Sequence, residues 1–164
     1  MTRKIPSTTT RLLWGAASGA VGATVLNVVT YGDMLVRGRA PSGVPATMAG
    51  IMADRLGLAP LRTDNHARQA PNRREGAGAI LGYATGVGIG AAYAVARGGA
   101  GVGNPVRTGV LLGLAAMAAS DAPIALMGAS DPRTWTGADW LSDLIPHLAY
   151  GLATAATLKG CFTD

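Results

Sequence analysis

Two stretches of this chain, 12–32 and 76–96, each run for 21 residues without a charged side chain. A helix of that length crosses the hydrocarbon of a bilayer. The first span is expected from about Arg11 to Val36, with Trp14 and Tyr31 near its ends as interfacial aromatics. The second begins after Pro71, where Asn72 and Glu75 have the spacing of a capping box, and ends near Arg97. Its length from 73 to 97 is about 37 Å at 1.5 Å per residue, enough to cross with some tilt. A third span is expected over roughly 106–128, interrupted by Asp121 and Pro123. A fourth, over roughly 138–158, follows Trp135 and Trp140 and ends at Lys159–Gly160, with Thr136 and Asp139 again at capping-box spacing.

Within these spans glycine recurs at every fourth position. Gly78, Gly82, Gly86 and Gly90 form one stripe, and Gly15–Gly19 and Gly109–Gly113 form two shorter pairs. Such stripes let a neighbouring helix approach to backbone contact. Six glycines make the second span weakly hydrophobic, which predicts a place inside the protein and away from lipid. Between the first two spans lie about 35 polar residues with seven arginines, flanks included. There Met48, Ile51, Met52 and Leu56 fall on one helical face, between Pro45 and the stop Gly57–Pro60. This predicts a short surface helix, lying on the membrane, capping the bundle or packing on a loop, followed by an extended linker over 61–72. The expected fold is all-α: one integral membrane domain, a four-helix bundle with glycine-mediated close packing.

Composition supports a membrane protein. Charged residues are 14% and hydrophobic ones 49%, while a typical soluble domain carries about 25% charge. The net charge of +5 forms no continuous basic stripe, so nucleic acid is not an expected partner and anionic lipid is. The single cysteine, Cys161, excludes an internal disulfide and any cysteine-cluster metal site. Its place as the fourth residue from the end imitates a prenylation box, but the final Asp fits that box poorly. Arg3, Lys4 and Arg11 precede the first apolar run as in a signal peptide, and the length of that run favours an uncleaved span. Four spans put both termini on one side. That side has the denser positive charge and almost no acids, which favours cytoplasmic termini in an inner (plasma) membrane protein.

Ionisable groups within a span face the bundle interior or water. Counted by depth, Asp121 lies roughly 10 Å and His147 roughly 13 Å below the same surface. Asn27, Tyr83, Thr85 and Asp143 fall in the same half of the membrane. Asp139, Asp143, His147, Tyr150 and Thr154 share one helical face, and a carboxylate four residues before a histidine can orient or ion-pair with the imidazole. Pro123 and Pro146 each free a backbone carbonyl nearby. The candidate polar cluster is therefore Asn27, Tyr83, Thr85, Asp121, Asp143, His147 and Tyr150. Three readings compete: hydrogen bonds that lock helices, a proton- or ion-handling site, and metal or haem ligation. One intramembrane histidine with two carboxylates is a thin ligand set, so no metal and no cofactor are expected. The other histidine, His66, falls in the loop.

No catalytic motif is present: no His-Glu-x-x-His, no Gly-x-x-x-x-Gly-Lys and no Gly-x-Ser-x-Gly. Gly86-Val87-Gly88-Ile89-Gly90 lies mid-span and reads as a packing surface, and Ser18 and Ser120 have no base nearby in sequence. The expectation is a protein that is not an enzyme.

The segments Asp131–Trp135 and Asp139–Gly151, the early Asn27-Val28-Val29-Thr30-Tyr31-x-Asp33 and the glycine stripe of the second span resemble a group of small uncharacterised four-span membrane proteins of actinobacteria. The resemblance implies a four-helix inner-membrane protein from a high-GC bacterium and carries no activity with it. The expected function is a non-enzymatic accessory or structural subunit that docks to a larger membrane assembly or to itself. The alternatives are a small proton- or ion-coupled transporter or channel, and a haem- or quinone-binding redox subunit.

Overall fold

A computed structural model describes residues 5–163 of the protein. Among them there is no strand. Five α-helices follow in order: α1 (Thr8–Arg37), α2 (Val44–Leu56), α3 (Ala70–Arg97), α4 (Pro105–Leu126) and α5 (Gly137–Thr163). Short 3-10 turns at Ala59–Leu61 and Pro132–Thr134 precede α3 and α5.

Local sequence explains where each helix starts. The Ser7 hydroxyl accepts the Thr10 N–H at 3.1 Å. Asn104 accepts the N–H groups of Val106 and Arg107 at 3.0 and 3.1 Å, just ahead of Pro105. These side chains satisfy first-turn donors that no helical carbonyl can reach. Thr136 and Asp139 form the expected reciprocal box: Thr136 donates its N–H to Asp139 at 2.9 Å, and Asp139 donates its own to Thr136 Oγ1 at 3.2 Å. The box expected at Asn72 and Glu75 is not used. Helix α3 starts at Ala70 after Gln69, because Pro71, with its φ preset and no N–H to waste, belongs in the first turn. The linker expected over 61–72 is accordingly shorter, and it is not simply extended. Asp54 accepts the Thr63 N–H and hydroxyl at 3.0 and 2.6 Å, folding the chain back onto α2.

Helices α1, α3 and α4 are long and apolar enough to cross a membrane. The fourth expected span, α5, is long enough but is not among the three, because Asp139, Asp143, His147 and Lys159 dilute its apolar character. It runs to Thr163, five residues past its expected end, and it packs closely on both α1 and α4. Its Tyr150, Thr154, Ala155 and Leu158 are fully buried, which places this polar helix in the middle of the protein.

Helix α1 runs antiparallel to α3, with Gly15 opposite Gly90 and Gly19 opposite Gly86. A Cβ on Gly19 would stand 2.5 Å from the Gly86 carbonyl oxygen, so the two backbones touch. Helices α4 and α5 approach in the same way. A Cβ on Gly113 would lie 2.6 Å from the His147 carbonyl oxygen, and one on Gly109 would lie 2.8 Å from Leu152 Cα. Gly78 meets α2 instead, at Pro45 and Ala46.

Three expectations are corrected here. Gly82 faces no neighbour, although it belongs to the stripe: nothing lies within 4 Å of where its Cβ would be. The stripe is shared between α2 at one end and α1 at the other, and Gly82 falls between them. Helix α3 does not sit inside the protein. Only 17% of its apolar stretch is buried, against 28% for α1 and for α4. Helix α2 packs on α3 through Ala49, Gly50 and Ala53, whereas Leu56 of the expected apolar face stays exposed. Gly78 of α3 takes the start of α2 at Pro45 and Ala46, and helices held that close leave room mainly for small residues in the contact that follows.

Candidate functional site

The close approach of α4 to α5 at Gly109, Gly113 and Gly151 brings the C-terminal part of α4 level with the N-terminal half of α5. Each helix carries a proline there, Pro123 and Pro146, and each proline deprives the carbonyl four residues earlier of its helical donor. Next to those carbonyls stand Ser120 and Asp121 on α4 and Asp143 on α5.

The side chains at this point form an open ring. His147 Nδ1 lies 2.8 Å from the Asp143 backbone carbonyl and 3.3 Å from Asp143 Oδ1. A carbonyl can only accept, so Nδ1 carries a proton. His147 Nε2 lies 3.4 Å from Ser120 Oγ, which is 3.1 Å from Asp121 Oδ1 and 2.9 Å from the Met117 carbonyl. Asp121 thus reaches the imidazole at Nε2 through Ser120, and Asp143 reaches it directly at Nδ1. His147 is 12% exposed and Asp143 25% exposed, and Asp143 Oδ2 is buried without a donor.

Ser120, His147 and Asp143 stand in the order of nucleophile, base and orienting carboxylate. Two features argue against acyl chemistry. The shorter bond of Ser120 runs to the Met117 carbonyl of its own helix, which turns the hydroxyl proton away from the imidazole. A serine within a helix also has its neighbouring N–H groups committed to helical carbonyls, so they cannot cradle an oxyanion. The ring can instead exchange protons among four side chains. Among the described residues no three His, Cys, Asp or Glu side chains are arranged to hold a metal ion.

Of the expected cluster, the structure brings together Asp121, Asp143 and His147. Tyr150 sits elsewhere. Its hydroxyl donates to the Gly86 carbonyl of α3 at 2.6 Å, and its ring lies against Gly22 of α1. Thr85 bonds to the Leu81 carbonyl of its own helix at 2.9 Å, and Tyr83 is exposed. Asn27 is half-buried on α1, and no hydrogen bond joins it to the ring. The sequence reading missed Ser120 as a partner of His147, because its base lies 27 residues away across a helix pair. Gly22 and Gly151, which let Tyr150 and α4 approach, were not among the expected packing glycines, although the small-residue spacings Ser18–Gly22 and Gly151–Ala155 could have found them. The buried Thr154 lies on the helical face that its spacing from Tyr150 picks out, and Ser18 is buried with it.

On the side of the polar loop, Asp33 pairs with Arg37 and Arg39, and Arg37 reaches over to Ser142 of α5. A cleft of about 220 Å³ opens there between α1 and α5, lined by Val29, Asp33, Arg37, Ser142 and Pro146. In the connection from α4 to α5, the Arg133 guanidinium and the Arg133 N–H hold the Asp131 carboxyl below the usual carboxylate range. Arg62 does the same to Asp64 in the first loop.

Comparison of the chain with family models, curated proteins and solved structures finds no match.

Proposed function

We propose that the protein is a non-enzymatic integral membrane subunit, a four-helix bundle of α1, α3, α4 and α5 in the inner membrane with cytoplasmic termini. Its task is to dock through the outer face of α3 to another membrane helix, from a larger assembly or from a second copy. Ala84, Gly88, Ala92 and Ala96 support this reading. They recur at every fourth position on α3, and all four are exposed, opposite the stripe that meets α1. Helix α3 therefore has two smooth faces, and only one is covered by its own chain. Lipid tails gain little from a surface without side chains, whereas a facing helix gains close backbone packing.

Mild extraction of the protein from its own membrane followed by native mass spectrometry tests this. Wild type is expected to retain a partner chain or a second copy. Gly88→Leu and Ala92→Leu should lose it without lowering thermal stability, since nothing within the chain lies within 4 Å of a Cβ on Gly88. A wild type that emerges solely as a monomer, or variants that associate as wild type does, would overturn the reading.

A second reading, a small proton- or ion-coupled transporter, draws support from the buried, donorless Asp143 Oδ2 in the ring with Asp121 and His147. Flux across a pH gradient in reconstituted liposomes, lost in Asp121→Asn, tests it.

A further inference from the structure

Ser120 has one hydroxyl proton and three neighbours: the Met117 carbonyl at 2.9 Å, Asp121 Oδ1 at 3.1 Å and His147 Nε2 at 3.4 Å. A carbonyl and an ionised carboxylate can only accept. If the hydroxyl proton went to Nε2, both nearer oxygens would face lone pairs on Ser120. If it lies between those two oxygens in a three-centre bond, a common arrangement, Nε2 is the donor to Ser120 Oγ. The other ring nitrogen is a donor already, because Nδ1 lies 2.8 Å from the Asp143 backbone carbonyl. An imidazole that donates from both nitrogens is an imidazolium. Asp143 asks for the same cation from its own side. Its Oδ2 is buried without a donor, and its Oδ1 lies 3.3 Å from Nδ1.

We propose that His147 is a proton-binding site that clamps α4 to α5: as an imidazolium it bridges Asp143 of its own helix to Ser120 and Asp121 of α4, and it releases α4 when the proton leaves. Three protons then serve all five contacts. Nδ1–H is shared by the carbonyl and Oδ1 of Asp143, Nε2–H goes to Ser120 Oγ, and the hydroxyl proton is shared by Met117 and Asp121. The net charge of the four side chains falls from two negative charges to one. As the pH rises and Nε2 gives up its proton, two lone pairs meet across the 3.4 Å contact. Ser120 can then bond to the imidazole only by withdrawing its proton from the Asp121 carboxylate, a costly loss within a span. The contacts of Gly109, Gly113 and Gly151 involve no titratable side chain, so they stay closed and the opening is confined to the end of α4 that carries Ser120 and Asp121. Other charged groups around the ring are engaged elsewhere. Helix α1 brings Asp33 and Arg37, which pair with each other while Arg37 turns to Ser142. Helix α3 has no charged residue between Glu75 and Arg97, and its Tyr93 hydroxyl lies at Thr108, near the opposite end of α4. The inference deepens the ion-handling reading, on whose side-chain cluster it rests, but it does not require transport.

Nitrogen NMR of the full chain in lipid bilayers, with labelled histidine and His66→Gln to leave a single imidazole, reads the proton directly. At neutral pH both ring nitrogens of His147 should carry protons, and raising the pH should remove the one on Nε2 while Nδ1 keeps its own. Ser120→Ala and Asp143→Asn should each lose the imidazolium signal at neutral pH. A neutral ring at neutral pH in the otherwise wild-type chain, or an imidazolium unchanged in both variants, would overturn the proposal. Where a variant fails to assemble, the titration of the unsubstituted ring decides. The clamp is read separately by spin labels at Leu126→Cys and Leu141→Cys in a Cys161→Ser background, since both leucines are exposed, one on each helix. Their separation should widen in step with loss of the Nε2 proton, and should be pH-independent in His147→Gln. A separation that stays constant while the proton leaves would refute the clamp. An imidazolium and a pH-dependent separation without flux in liposomes would refute transport and leave this inference standing.

Discussion

Adding one methyl group at Gly19 and at Gly82 should have opposite effects, although both glycines belong to regular four-residue spacings. In α1, a Cβ on Gly19 would meet the Gly86 oxygen at 2.5 Å and Val87 Cα at 2.9 Å. Non-bonded carbon atoms settle at about 3.5–4.0 Å, and a carbon against a carbonyl oxygen at about 3.3–3.6 Å. The obstacles are backbone atoms, so no side chain can rotate away, and α1 would have to withdraw from α3 by roughly 1 Å. That movement also opens the contacts of Gly15 with Gly90 and of Gly22 with Tyr150. Overpacking of this kind costs typically 1–3 kcal/mol, while replacing a mid-helix glycine by alanine returns roughly 0.5–1 kcal/mol. Gly19→Ala should therefore destabilise the protein by about 1–2 kcal/mol. At Gly82 only the favourable part remains, and Gly82→Ala should be neutral or stabilising by up to about 1 kcal/mol. Equilibrium unfolding in mixed micelles, followed by helical circular dichroism, measures both. If Gly19→Ala proves as stable as Gly82→Ala, the backbone contact between α1 and α3 is not what holds these helices together.

Two further outcomes follow from single contacts. Tyr150→Phe removes the 2.6 Å bond to the Gly86 carbonyl while keeping the ring, and should lower unfolding stability by about 0.5–1.5 kcal/mol; an unchanged stability would mean that this bond contributes nothing. The lowered Asp131 carboxyl adds stability that is present above its unfolded value and lost as the pH falls through the still lower folded value. The Trp135 fluorescence should therefore hold steady down to about pH 4 and change only below it; a transition nearer neutrality would show that another group governs this turn.

What could be read in the sequence was whatever depends on spacing along one helix. The uncharged runs gave α1 and α3 nearly to their ends, and Thr136 with Asp139 gave the start of α5, because each rests on neighbours within a turn or two. The pairing of Asp143 with His147 was legible for the same reason, being set by one helical turn. Relations between helices were not. Four glycines at fixed spacing do not reveal that α2 takes Gly78, α1 takes Gly86 and Gly90, and nothing takes Gly82. Equal depth in a membrane likewise placed Asn27, Tyr83 and Thr85 beside Asp121, but depth leaves the rotation of each helix undetermined. The role of Ser120 was not legible because its partner lies on another helix, 27 residues away.

The one long helix that falls short of a membrane-crossing apolar stretch is the one that two others cover, and this connects the fold to its candidate chemistry. An Asp or His facing lipid is costly, so a helix carrying Asp143 and His147 must be shielded by neighbours or not inserted at all. Shielding needs neighbours that come close, and glycine supplies the closeness: Gly109, Gly113 and Gly151 between α4 and α5, and Gly22 between α1 and α5. Helix α3, freed from covering α5, can leave its second small-residue face turned outward. Enlarging Gly113 should for this reason disturb more than packing. Its Cβ would press on the His147 carbonyl at 2.6 Å, moving the imidazole away from Ser120 and breaking the ring at its longest bond.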